Sequence, residues 1–321
     1  MARVRAPTKQ LRDSAAEILK TIHRDPYDLG ARLVYADLLQ ELGDPRGEYI
    51  AIQLDRPKDR KPRERERELE TLYRKTWLGG LDVAFSTKSR FQNGFLYVVV
   101  TKPHRNALDV DALANPELVT VEILDTHGLG TERRLVGDPS RLVARMPNLR
   151  ELVIDANCIE PLRDVDVPIT SLGVFLPGVD ALLALLAAKR MKRLRALRVW
   201  NSDPGADVLV RLASAVPLES FGCFLDTDYA ERAAISIGKL VPAVDKLTIT
   251  VGWGKAQVAR DGDDLVMTIH EISRTMSHEV SSPLRKLVDA LGRERVRLVF
   301  PDSNHADIAK QLAKAGYRAR R

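Results

Sequence analysis

The chain has little of what builds a chemical centre. Two cysteines in 321 residues, Cys158 and Cys223, supply neither a disulfide framework nor a CxxC metal spacing, which fits a reducing, cytoplasmic setting. They read as small buried hydrophobes in or near the repeat core. The longest strongly apolar run, Ala181 to Ala188, falls far short of the roughly 20 residues that span a bilayer, so no membrane association is expected. The basic start MARVRAPTKQ leads into an amphipathic helical pattern and not into an apolar core with a cleavage site, so no signal peptide is read. The six histidines form no HExxH or HxH grouping. His270-Glu271 and His278-Glu279 stand eight apart across a strand-to-helix junction, and the histidines read as surface or capping groups. Gly252-Trp253-Gly254-Lys255 lacks the spacing of a phosphate loop and reads as a glycine turn. No GxSxG, dinucleotide fingerprint or carboxylate pair in an apolar frame occurs. The expectation is a protein that is not an enzyme and has no catalytic residues, metal or cofactor.

What is present is ordinary globular material, 45% hydrophobic and 29% charged, with a net charge of +6. The length exceeds one small domain, so two units or one extended array are expected. The excess charge sits in two places. Between Arg56 and Glu68 the bases Arg56, Lys58, Arg60, Lys61, Arg63, Arg65 and Arg67 outnumber Asp59, Glu64, Glu66 and Glu68 by three, and Arg318, Arg320 and Arg321 add three more. From Arg63 to Glu70 acids and bases alternate at the i,i+3 spacing that supports an exposed helix. The arginine tail after Tyr317 reads as a candidate for disorder.

The N-terminal quarter has helical periodicity. Leu11, Ala15, Ile18, Leu19 and Ile22 give one apolar face to a helix ending near His23. Asp25-Pro26 reads as the N-cap and first position of a second helix, whose apolar face runs through Leu29, Leu33, Ala36, Leu39 and Leu42 to Gly43. Asp44-Pro45 repeats the start signal, and a charged helix from about Arg63 to Trp77 ends at Gly79-Gly80. The run His23 to Asp55, HRDPYDLGARLVYADLLQELGDPRGEYIAIQLD, resembles the bacterial repeat-companion domain, with its DPxD, RLVYAD, GDPRGE and closing QL elements. It departs from that pattern where the tryptophan beside Leu39 is missing and where Leu42 replaces the arginine before Gly43. The resemblance covers about a tenth of the chain and implies a helical cap of the kind that commonly precedes repeat arrays. It brings no established chemistry with it.

From Asn93 onward apolar residues recur at offsets zero, three and five. Leu149, Leu152 and Ile154, followed by Asn157 and Ile159, fit LxxLxLxxNxL; the other matches start at Leu118, Ile169, Leu194, Leu218 and Val244. The starts are 31, 20, 25, 24 and 26 residues apart, close to the roughly 20 to 29 residue period of leucine-rich repeats. The pattern resembles a degenerate leucine-rich repeat array, with Pro177, Ser202, Asp226 and Gly252 where the recurrent asparagine would be. Leu96 and Val98 open it after an Asn93-Gly94 turn, and Val296 with Leu298 closes it. Helices are expected at Val179 to Ala188, Ala206 to Val216 and Tyr229 to Val241, a hairpin insertion near 256–272, and a capping helix at Ala306 to Ala315 after Ser303 or Asn304. The fold class is therefore α/β: a helical unit, residues 1–80, then a leucine-rich-repeat-like solenoid, residues 81–321, with a parallel strand row and outer helices.

In this register offset six faces away from the core and reads Leu124, Asp155, Phe175, Trp200, Phe224 and Thr250, while offset four places Gly173, Arg198 and Gly222 between the rings. Phe175, Arg198, Trp200 and Phe224 are the candidate partner-binding residues, and a protein is the expected partner. The alternative is a nucleic-acid-binding protein using the basic 56–67 segment and the C-terminal arginines.

Overall fold

The computed structural model describes residues 9–57, 60–102, 110–126, 139–155, 158–175, 179–200, 205–225, 230–251, 254–272, 281–302 and 305–320. Lys58, Asp59, Asn157, Pro177, Ser202, Asp226, Tyr229, the Gly252-Trp253 pair, His278-Glu279, Ser303, Asn304 and Arg321, named above, lie outside them. By contacts the chain divides into two compact units, Met1–Arg150 and Glu151–Arg321. The change from helices to strands comes near residue 80, so the first unit holds the helices together with the first strands.

That unit runs α1 (Lys9–Arg24), α2 (Leu29–Glu41), α3 (Pro45–Asp55), α4 (Glu64–Leu78), β1 (Arg90–Gln92), β2 (Phe95–Val100), α5 (Val110–Leu113), β3 (Ile123–Asp125) and α6 (Pro139–Val143). β1 and β2 form an antiparallel hairpin and β3 pairs parallel to β2. The Asn93-Gly94 turn has φ of 51° and 82°, and a side chain on Gly94 would also collide with Ile50, so only glycine fits there. Asp44 caps α3 as its sequence signals. The start of α2 differs from expectation. Asp28 is the N-cap, accepting from the Ala31 amide, while Asp25 accepts from the Tyr27 amide to shape the turn before it.

The buried face of α2 also differs. Arg32, Tyr35, Ala36 and Leu39 point inward, and Leu29 and Leu33 are 53% and 52% exposed. A buried arginine displaces leucine because acceptors wait for it. Arg32 Nη1 donates to the carbonyls of Gln92 and Asn93, and burial lowers its pKa from the usual value to about 10. Arg46 is held more fully. Its Nε and Nη2 donate to the Gly94 carbonyl at 3.0 and 2.8 Å, and its guanidinium pairs with Glu117 at 2.7 Å. Burial opposes the Arg46 charge, but Glu117, joined by Tyr35 and Asp44, offsets it and holds the pKa above its usual value. The two guanidinium carbons lie 4.7 and 4.9 Å from the centre of the Phe95 ring. Gln53 completes the socket by accepting from the Gly94 amide and donating to Tyr49 and Glu66.

Glu66 corrects the picture of α4 as a wholly solvated helix: it is buried, salt-bridged to Arg56. Arg65 does form the expected surface pair with Glu68, and a second, not read from the spacing, with Glu48 on α3. In β3 the expected register is inverted, since Leu124 is buried and Ile123 partly exposed. Leu124 lies opposite Val99, which shares its face of β2 with Phe95 beneath the helices.

The second unit runs β4 (Glu151–Asp155), α7 (Ile159–Leu162), β5 (Ser171–Phe175), α8 (Val179–Ala187), β6 (Ala196–Trp200), α9 (Ala206–Ala213), β7 (Ser220–Phe224), α10 (Ala230–Leu240) and β8 (Lys246–Val251). It continues through β9 (Gly254–Asp261), β10 (Asp264–Ile272), α11 (Ser281–Leu291), β11 (Val296–Val299), α12 (Ala306–Lys314) and β12 (Arg318–Arg320). β4 to β8 are parallel and pair in sequence order, with Leu152, Leu172, Leu197, Phe221 and Leu247 in one row and Ile154, Val174, Val199, Cys223 and Ile249 in the next. These are offsets three and five of the pattern, all buried. β9 and β10 are the expected hairpin, turning at Gly262-Asp263, one residue beyond the Asp261-Gly262 read from the sequence, and β10 to β12 are again parallel. β11 does not close the row. The arginine tail forms β12, fastened by a bidentate Arg318–Asp264 pair and by the Tyr317 hydroxyl donating to Asp289 at 2.9 Å. α12 begins after His305, which makes no side-chain cap. The architecture is mixed α/β with mostly parallel strands, and no helix among the described residues is long and apolar enough to cross a membrane.

Arg46→Ala leaves Glu117 buried without its partner and is expected to cost about 3 kcal/mol in chemical denaturation; Arg46→Lys, which cannot form the fork, recovers less than half. Burial lowers the His23 pKa from its usual 6.5, a shift that Glu117 opposes and Arg46 reinforces. The unfolded chain therefore takes up that proton first, so stability falls as pH drops from about 6.5 through the folded pKa. His23→Gln should flatten that part of the denaturation-midpoint profile.

Candidate functional site

Side chains alternate across each strand, so the strands that bury Leu172, Leu197 and Phe221 present the residues between them on the other face. On β5 these are Ser171, Gly173 and Phe175; on β6, Ala196, Arg198 and Trp200; on β7, Ser220, Gly222 and Phe224. The four candidate residues thus share one face of three adjacent strands, and all four are partly exposed.

Phe175 and Trp200 stand opposite each other in the ladder, and their rings stack at 4.7 Å with planes 19° apart. Such a pair contributes about 1 kcal/mol beyond its area burial. The far edge of the indole lies over Gly173, where a Cβ would sit 2.4 Å from Trp200 Cζ3. Gly222 serves Arg198 in the same way, a Cβ there falling 2.8 Å from Arg198 Cγ. The glycines at offset four therefore leave the volume that their neighbours' side chains occupy. Arg198 then runs across the strands: its Nη2 donates to Glu151 on β4 at 2.5 Å and to Ser171 Oγ at 3.2 Å, and its guanidinium carbon lies 5.7 Å from the centre of a Trp200 ring. The Arg198–Glu151 pair is about one-third exposed on each side, which keeps its contribution to stability small.

The outward sequence positions beside this patch behave differently from one another. Asp155 on β4 is buried, whereas Thr248 and Thr250 on β8 are partly exposed and Lys246 is exposed. The alternating pattern identified the aromatic row but not the Arg198–Glu151 crosslink, whose partners are separated by 47 positions. Cys158 and Cys223 are both buried. Among the described residues no group of three or more His, Cys, Asp and Glu side chains is placed to hold a metal ion. Chemically the patch offers a flat hydrophobic platform with one oriented cation beside it, which suits recognition of an apolar side chain flanked by a hydrogen-bond acceptor.

Gly173→Ala tests the packing. It should displace the indole, move the Trp200 indole N–H resonance in a proton–nitrogen correlation spectrum while sparing that of Trp77, and cost about 1 to 3 kcal/mol. Gly238→Ala, where a Cβ meets nothing within 4 Å, is the matched control.

No family model, no curated protein and no solved structure matches the chain.

Proposed function

We propose that the chain is a non-catalytic bacterial interaction protein of the cytoplasm, in which a helical unit of the repeat-companion type precedes a degenerate leucine-rich-repeat array. In this reading the strand face around Phe175, Arg198, Trp200 and Phe224 captures a protein partner. The observation that carries the proposal is the Phe175–Trp200 stack standing partly exposed over Gly173, with Arg198 held beside it. Aromatic rings and arginine on a rigid sheet are the side chains that contribute most to protein interfaces, and a sheet holds them with little ordering left to do on binding. The nearest-neighbour pairing of β4 to β8 and the match of their register to the repeat offsets support the array reading.

The nucleic-acid alternative draws less support. Arg56 pairs with Glu66, Arg63 with Asp55, Arg65 with Glu48 and Glu68, and Arg318 with Asp264, so much of the basic charge already has its counter-charge. A phosphate backbone would have to compete with those carboxylates.

Capture from a lysate of the native cells separates the two readings. Protein capture by the strand face should survive nuclease and a rise from about 50 to 200 mM salt, and Trp200→Ala should weaken it at least about tenfold. The same substitution should lower the melting temperature by only a few degrees, since it removes one partly exposed ring pair. Loss of capture on nuclease treatment, or a collapse of stability in Trp200→Ala, would overturn the proposal.

A further inference from the structure

The first unit carries a slot that the strand-face reading does not use. It has a volume of about 500 Å³ and opens between the N-terminus of α2, the end of α3, the start of α4 and the β1–β2 hairpin. That is the size of sites that take a small ligand or a pair of side chains. Leu29, Leu54, Pro62, Phe91 and Tyr97 form its apolar lining, with Arg56, Arg90, Glu66 and Glu70 among the polar groups.

The charges are not equivalent. Glu66 is engaged by Gln53 Nε2 at 2.9 Å and by Arg56 Nε at 3.1 Å. Glu70 accepts from the Tyr49 hydroxyl at 3.0 Å and from Arg74 at 2.5 Å. Both carboxylates are therefore neutralised from within the unit. Arg90 is different: it is exposed on β1, and its side chain makes no hydrogen bond or ion pair among the described residues. The slot thus presents a surplus positive charge next to an apolar lining. Beyond it, Leu33 lies one turn along α2 from Leu29, and both are more than half exposed although they belong to the signature run of that helix. A small carboxylate would have no use for Leu33; a chain crossing the slot and continuing along α2 would cover it.

We propose that this slot docks a segment of a partner protein in which a large apolar side chain is flanked by acidic residues, the apolar group entering between Leu29, Leu54 and Phe91 and a neighbouring carboxylate pairing with Arg90. The site is separate from the aromatic strand face, and its test does not depend on that face being functional.

The full chain is titrated against fluorescein-labelled Ser-Glu-Leu-Glu-Phe-Glu-Ser and followed by fluorescence anisotropy. Peptides with Lys for each Glu, or Ser for Leu and Phe, should bind at least about tenfold more weakly. Arg90→Glu should weaken the acidic peptide about tenfold and Leu29→Ser about fivefold; both positions are exposed, and circular dichroism checks that the variants fold. Trp200→Ala should leave this binding unchanged. The proposal is overturned if no peptide binds, if the lysine peptide binds as well as the acidic one, or if Trp200→Ala abolishes binding. It is equally overturned if phenylpropionate binds as tightly as the peptide with the same dependence on Arg90, which would make the slot a small-carboxylate site.

Discussion

A buried guanidinium needs a counter-charge and acceptors, and Arg46 meets that constraint by fixing three segments at once. Sitting at the start of α3, it grips the Gly94 carbonyl of the hairpin turn and the Glu117 carboxylate ahead of β3, and packs against Phe95 and Trp77. Glu117 has its own tie to the strands, accepting from the Leu96 amide at 3.3 Å. Neither charge can stay buried without the other, because the uncompensated partner would carry the whole cost of desolvation. The helices and first strands are consequently one energetic piece, and both lie within the unit Met1–Arg150.

The same constraint explains what was legible in the sequence and what was not. Asp44-Pro45 marked its helix start correctly because the aspartate has one amide to serve. Asp25-Pro26 misled, since Asp28 competes three residues later and takes the capping role while Asp25 shapes the turn. Ala36 and Leu39 lie on the buried face of α2 as expected, but Arg32 and Tyr35 are buried where Leu29 and Leu33 were expected. Nothing local reveals that acceptors for Arg32 arrive 60 residues downstream. Arg318-Ala319-Arg320 is too short and too basic to read as a strand, and it becomes one because Asp264 and β11 provide the partners.

In the second unit the pattern was more readable because its core is made of local repetition. Offsets three and five predicted rows that the ladder reproduces from β4 to β8, and offset six found the aromatic face. What escaped was the role of the residues with no side chain. Gly173 and Gly222 look like gaps in a strand, yet their missing carbons are the room in which Trp200 and Arg198 lie.

The in-register rows of β4 to β8 have a consequence for how such a chain can vary. Because Leu172, Leu197, Phe221 and Leu247 occupy equivalent positions, a duplication or deletion of one strand and its helix would leave the remaining strands able to re-pair without a slip. The aromatic pair cannot be divided in that way. It takes Gly173 and Phe175 from one step and Trp200 from the next, so a boundary drawn between β5 and β6 would remove the platform while leaving a sound ladder. Length can drift in this region; the junction between those two steps cannot.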